Sequence, residues 1–228
     1  MKNNTFAAVL LLITSLSVYL LPRDVDAQYR PSIDVQEWPS GKVVLTSGDT
    51  IFGPITFYRT QEVVSVQNED GTRSSFTPVN VQYFIAQEEP SGRSYTFRSL
   101  MWDMGRDYSD FKKPTFFEEL NQGSYTLIMR EDYIRKDPSR MSPLYANNAA
   151  YGSEYYVPGS EWIDQIKALY YVLLPNGEIV TLRNVRKDLH ALFGNKSREV
   201  RKFVRERNLS YEKPHQLMSI ISFYNSLI

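Results

Sequence analysis

The stretch Ile166-Lys-Ala-Leu-Tyr-Tyr-Val-Leu-Leu174, followed by Pro175-Asn176-Gly177 and then Glu178-Ile-Val-Thr-Leu182, decides the fold class. Apolar residues fill the first run on both faces, which predicts a central strand covered on both sides. The Pro-Asn-Gly turn joins it to a second β-rich run, so the pair reads as an antiparallel hairpin. Immediately beyond, the apolar spacing changes from strand-like to helical. Val185, Leu189, Leu192 and Phe193 line one face before Gly194; Val200, Phe203 and Val204 line another after Ser197; Leu217, Ile220, Ile221 and Tyr224 line a third. The expectation is an α+β domain: a mainly antiparallel sheet or small barrel over 41–182, then a C-terminal three-helix segment over 183–228 that packs on the sheet or stands beside it.

Working back from the hairpin, short strands and turn residues alternate. Lys42–Thr46 alternates, Ser47-Gly48-Asp49 turns, and Ile51, Gly53, Ile55 and Phe57 are expected on one face of the next strand. Pro54 removes a ladder donor there, so that strand is an edge or is bulged. Val63–Gln67, the turn Glu69-Asp70-Gly71 and Arg73–Phe76 read as a second hairpin, and Val79, Val81, Tyr83 and Ile85 as one face of a further strand. Thr115-Phe116-Phe117-Glu118 has the spacing of a capping box, which predicts a short helix ending at Gly123 and a strand over 124–130. Segment 137–160 has no period and predicts a long loop. Gly71 and Gly177 are each followed five and eight residues later by an apolar residue (Phe76 and Val79; Leu182 and Val185), a spacing that would suit a duplicated β unit.

The other end of the chain carries an address. Phe6–Leu21 is an uninterrupted apolar run behind Lys2 and ahead of Arg23, Asp24 and Asp26, and Val25-Asp26-Ala27 is a cleavage-site pattern. This predicts a signal peptide at 1–27 and a linker at 28–40. The run is shorter than the roughly 20 residues that span a bilayer, so no stable membrane span is expected after cleavage. Without cysteine the chain has no disulfide and no lipoprotein signal, which leans toward a bacterial periplasm or cell exterior. Asn195-Lys196-Ser197 and Asn208-Leu209-Ser210 would accept glycans only in a eukaryotic host. The chain is neutral overall, with 26 basic and 26 acidic residues, so no global charge draws it to nucleic acid.

Three stretches carry a resemblance: Gly41-Lys-Val-Val-Leu with Gly48-Asp-Thr-Ile-Phe-Gly53, the segment Phe116-Phe117-Glu-Glu-Leu120 to Gly123, and Ser222-Phe-Tyr-Asn225. Together the chain resembles the secreted, cysteine-free, β-rich proteins of Bacteroidetes-type bacteria. The resemblance implies an exported bacterial protein, and implies no reaction.

The residue types that carry chemistry are sparse. With two histidines, His190 and His215, and no cysteine, the ligand count argues against a zinc site, and neither metal nor cofactor is expected. No Gly-x-Ser-x-Gly elbow exists for a nucleophilic serine. The carboxylates come as doublets (Glu69-Asp70, Glu88-Glu89, Glu118-Glu119, Glu131-Asp132) whose members point to opposite faces in a strand, so no doublet is by itself an acid/base pair. Asp103, Asp107 and Asp110 lack the spacing of a calcium loop and read as a solvated turn. Residues 183–213 hold ten Lys/Arg against four acids, a net of +6. Three short helices with a basic middle one resemble a helix-turn-helix reader, which export argues against. Arg198, Arg201, Lys202 and Arg205 are therefore candidate contacts to an anionic envelope component. Tyr145, Tyr151, Tyr155, Tyr156 and Trp162 are aromatic candidates for stacking on a glycan.

The function expected is an exported, non-enzymatic binding or envelope-associated protein. The alternatives are a glycan-acting hydrolase with dispersed carboxylates, and a structural component of an envelope assembly docking a protein partner through the helical tail.

Overall fold

The computed structural model describes residues 34–106, 110–136 and 163–228. The expected signal peptide at 1–27, the expected loop at 137–160 with Tyr145, Tyr151, Tyr155 and Tyr156, and also Trp162 and Asp107, lie outside the described residues.

The described chain is two antiparallel sheets followed by a helical segment. The smaller sheet contains, in spatial order, β1 (Val35–Trp38), β4 (Ile55–Tyr58), β5 (Val63–Gln67) and β6 (Arg73–Phe76). The larger contains β12 (Ile179–Thr181), β11 (Ile163–Leu173), β10 (Thr126–Lys136), β9 (Lys113–Glu119), β8 (Ser94–Trp102), β7 (Val81–Gln87), β2 (Ser40–Leu45) and β3 (Thr50–Phe52). Its outermost strands, β12 and β3, are not paired with each other, so the small barrel is not formed. The helical segment has α1 (Val185–Phe193), α2 (Ser197–Glu206) and α3 (Pro214–Asn225). A 3-10 turn at Gly194–Lys196 carries α1 straight into α2, so the expected three separate helices are two arms, a bent one and α3.

The chain changes sheet at three points, and each carries a proline: Pro39 between β1 and β2, Pro54 between β3 and β4, Pro78 between β6 and β7. A residue that cannot donate to a ladder sits where the ladder is abandoned. The expected single face Ile51-Gly53-Ile55-Phe57 is corrected here: Ile51 lies in the larger sheet, while Ile55 and Phe57 lie in the smaller. Val35–Trp38, expected as linker, is a strand because Trp38 packs against Tyr95 and Phe97. At the Pro54 crossing the Gly53 N–H donates to the Gly41 carbonyl at 3.1 Å. Neither glycine has room for a side chain. A Cβ on Gly41 would lie 2.3 Å from the Ile85 carbonyl oxygen, and one on Gly53 2.0 Å from that of Gln67.

Between the sheets lies an aromatic and β-branched core: Trp38, Val43, Ile55, Phe57, Val64, Val66, Val81, Phe84, Phe97 and Phe116. Phe84 and Phe97 stack with centroids 4.5 Å apart, and Phe116 meets Phe84 edge-on. The smaller sheet covers β2, β7, β8 and β9; on the same face, the helical segment covers β10 and β11. Leu127 and Val172 pack there with Leu189, Phe193, Val200, Leu217, Ile220, Ile221 and Tyr224. The helices are therefore built into the domain.

The expected helix over 115–123 is a strand, β9. Thr115, Phe116 and Phe117 are all buried, and the two phenylalanines point into different clusters, Phe116 between the sheets and Phe117 on the opposite face with Trp102, Ile128 and Tyr171. Burial on both faces overrides a capping pattern. Gly123 follows with a left-handed φ of 144°, and its missing Cβ leaves room for the Asn225 side chain. Asn225 Oδ1 accepts the Tyr125 N–H at 2.9 Å and its Nδ2 donates to the Tyr125 carbonyl at 2.8 Å, which fastens α3 to the start of β10. Two further expectations shift. In β7 the buried residues are Val81, Phe84 and Ala86, because a register shift opposite Val44/Leu45 changes the phase, while Val79 is exposed in the turn before the strand. Among the described side chains of β11, full burial is confined to Tyr171 and Val172, while Gln165, Lys167 and Ala168 are exposed.

Gly41→Ala must therefore displace the β7 backbone at Ile85 and the Ile55 side chain, and should cost about 3 kcal/mol of stability. Gly48→Ala, at φ 97° with open space around it, should cost about 1 kcal/mol. Urea denaturation midpoints of the two variants measure the difference.

Candidate functional site

Strands β9 and β10 pair over only Glu118↔Met129 and Glu119↔Ile128, whereas β10 and β11 pair over their full lengths. The β10–β11 ribbon diverges from β9 beyond that point, and charged side chains from the smaller sheet fill the split. Arg59 donates to Glu131 at 2.6 Å; Glu62 accepts from Arg130 at 2.6 Å and from Lys113 at 3.0 Å. The Arg130 guanidinium also lies 5.0 Å from the Trp102 ring centroid and 5.6 Å from that of Phe117, covering the edge-on aromatic cluster. Trp102 Nε1 is buried without a partner among the described residues.

Glu118 lines the same split. Burial, and then the negative charge of Glu131, push its carboxyl up to about 7, while Arg93 opposes them. Two acids from different doublets thus meet, one with the raised value of a general acid. The space they line is about 20 Å³. That admits a single water and no sugar ring. Among the described residues the arrangement closes the split between strands and leaves no room for a substrate there.

The helical segment presents a different surface. Arg198, Arg201, Lys202 and Arg205 all lie exposed on α2, at the i, i+3, i+4, i+7 spacing of one face. The opposite face is consumed by packing: Val200 is fully buried, and Phe203 stacks on Phe223 with centroids 4.0 Å apart. Of the four cations only Lys202 has an acid within 4 Å among the described residues, Glu206 at 3.8 Å. The structure brings these four candidates together. The aromatic candidates Tyr151, Tyr155, Tyr156 and Trp162 are outside the described residues.

Beside this face, β11, β12, the start of α1 and residues 209–212 enclose an open groove of about 910 Å³. Among the described residues, Lys167, Arg183, Arg186, Tyr170 and Tyr211 line it, with one acid, Glu212. Arg186 sits 6.0 Å from the Tyr211 ring centroid. The Tyr211 hydroxyl hydrogen-bonds His190 Nε2 at 2.8 Å, and His190 Nδ1 hydrogen-bonds the Ser197 hydroxyl at 2.9 Å. Burial first, then the charges of Arg201 and Arg186, hold the His190 imidazole below its ordinary value. His190 therefore works as a neutral strut between the groove wall and the start of α2. Sequence spacing did not reveal the groove, because its cations come from a strand and a helix start that only the fold juxtaposes. The one available signal was the basic excess over 183–213.

No group of three or more His, Cys, Asp or Glu among the described residues could hold a metal ion, and no helix among them is long and apolar enough to cross a membrane. No protein-family model, curated protein or solved structure matches this chain.

The Glu118 carboxyl gives the split a pH signature. Its folded value lies above its unfolded one of 4.5, so its protonated form favours folding below pH 4.5, and that contribution disappears as pH rises through about 7. Relative to wild type, Glu118→Gln should gain about 2 kcal/mol of stability between pH 4.5 and pH 8, after discounting for partial exposure. Denaturation of both proteins across this range measures the gain.

Proposed function

We propose that the protein is an exported, non-enzymatic binding protein of a bacterial envelope, and that its ligand is an anionic glycan met by the cationic face of α2. The observation that carries this reading is the exposed row Arg198, Arg201, Lys202 and Arg205, which has little internal neutralisation. Buried or self-paired cations would serve the fold; exposed unpaired ones at helical spacing serve as an anion-facing surface. Export is supported by Lys2, the apolar run Phe6–Leu21 and Ala27. That destination favours envelope polymers over nucleic acid as the anionic partner.

The two alternatives have less support. The carboxyl pair that approaches an acid/base arrangement, Glu118 and Glu131, shares a space fit for one water. The helical segment spends its apolar faces on its own sheet, which leaves its charged side to meet a partner.

Protein lacking residues 1–27 should bind immobilised polygalacturonate, and more weakly as ionic strength rises. Replacing Arg198, Arg201, Lys202 and Arg205 together by Gln should weaken binding about tenfold or more, about 1.4 kcal/mol, with little change in stability. Equal retention of wild type and variant would remove the proposal.

A further inference from the structure

We infer that the groove between β11, β12 and the helical segment is a second, separate site that takes a small acidic sugar, whose anionic group is held by Arg186. The inference rests on the glycan reading above and adds to it a defined subsite and ligand class.

The groove's size, about 910 Å³, falls within the range of small-ligand sites and exceeds the water-sized space at Glu118. Among the described residues its lining carries one acid, Glu212, beside the cations Lys167 and Arg186. The first turn of α1 is already capped, because the Asn184 side chain accepts the Lys187 N–H at 3.1 Å and the Asp188 carboxylate accepts the Asn184 N–H at 2.7 Å. An anion here is therefore recognised by side chains, with the guanidinium of Arg186 the group suited to a carboxylate or phosphate.

Arg186 is also positioned. It lies over the Tyr211 ring, Tyr211 is tied to His190, and His190 is tied to Ser197, which is itself buried at the start of α2. This chain of contacts reduces the freedom a long cation would lose on binding. It contains no carboxylate behind the imidazole and so is not arranged as a nucleophile triad. Tyr170 and Tyr211 also line the groove, and rings of this kind stack on a sugar.

The contacts also supply a reporter. His190 faces Arg186 and Phe193 from α1, Ser197 and Arg201 from α2, and Tyr211. An anion at Arg186 offsets part of the positive charge beside the imidazole, so ligand binding should raise the His190 value toward 6.5 and take up protons. With only two histidines in the chain, His215→Asn leaves one imidazole signal to follow.

The test uses protein lacking residues 1–27 in the His215→Asn background, titrated by NMR with galacturonate, glucose 1-phosphate, neutral glucose and inorganic phosphate. The expected result is saturable binding of one or both acidic sugars, with a rise in the His190 value and affinity increasing as pH falls. Arg186→Gln should weaken it about tenfold. Galacturonate and glucose 1-phosphate report whether carboxylate or phosphate is the preferred anion. Equal binding of neutral glucose, equal binding of inorganic phosphate, or binding without movement of His190 would each overturn the inference, as would no binding of either acidic sugar. The two sites separate cleanly. Loss of polygalacturonate binding in the α2 quadruple variant with no acidic-sugar binding sinks only the groove; acidic-sugar binding without polygalacturonate binding sinks only the α2 reading.

Discussion

The architecture depends on a close approach of two glycines. Gly41 and Gly53 bring the backbone of β2 against the point where the chain leaves the larger sheet, and a hydrogen bond of 3.1 Å joins them. Pro39, Pro54 and Pro78 mark the crossings on either side and beyond. Because the crossings place the smaller sheet over β2, β7, β8 and β9, the remaining strands β10 and β11 need another cover. The helical segment supplies it, and in doing so turns its cationic side outward. The surface proposed for ligand binding is thus a consequence of how the two covers divide one face of one sheet.

What could be read from sequence was mainly local. Three hairpin turns share one chemistry. At Leu45–Asp49, Asn68–Thr72 and Leu174–Glu178 the first residue's N–H bonds the fifth residue's carbonyl, and a glycine with φ of 97°, 81° or 84° sits fourth. The Gly71 and Gly177 echo belongs to this turn type. It is not evidence of a repeated unit, since one turn lies in the smaller sheet and the other in the larger. The helical face of α2 was equally legible, because amphipathic spacing is a local property. The errors came where distant packing decided the outcome. Nothing within Thr115–Glu118 announces that Phe117 meets Trp102 and Tyr171, and nothing near Gly53 states that its neighbours divide between sheets. The meeting of Glu118 with Glu131 and the groove at Arg186 were hidden for the same reason.

The glycine-marked stretches around Gly41, Gly53 and Gly123, and the tail ending at Asn225, occupy these structural joints. Gly41 and Gly53 form the crossing, while Gly123 and Asn225 form the clamp between β10 and α3. These contacts hold strands and helix together, and none of them involves the α2 cations or Arg186. Two proteins could share every one of these joints and differ in the charges of α2 and the groove.

The clamp also sets a clock. Asn225 bonds a backbone 100 residues behind it, so β10 and α3 cannot lock until that whole interval has emerged from the ribosome. At ordinary elongation rates the wait is about 5–20 s. During it the strands that form the first core can pair, while Leu127 and Val172 lack their helical cover. Until the clamp closes, the apolar face of β10 and β11 stands open beside a first core that can already form.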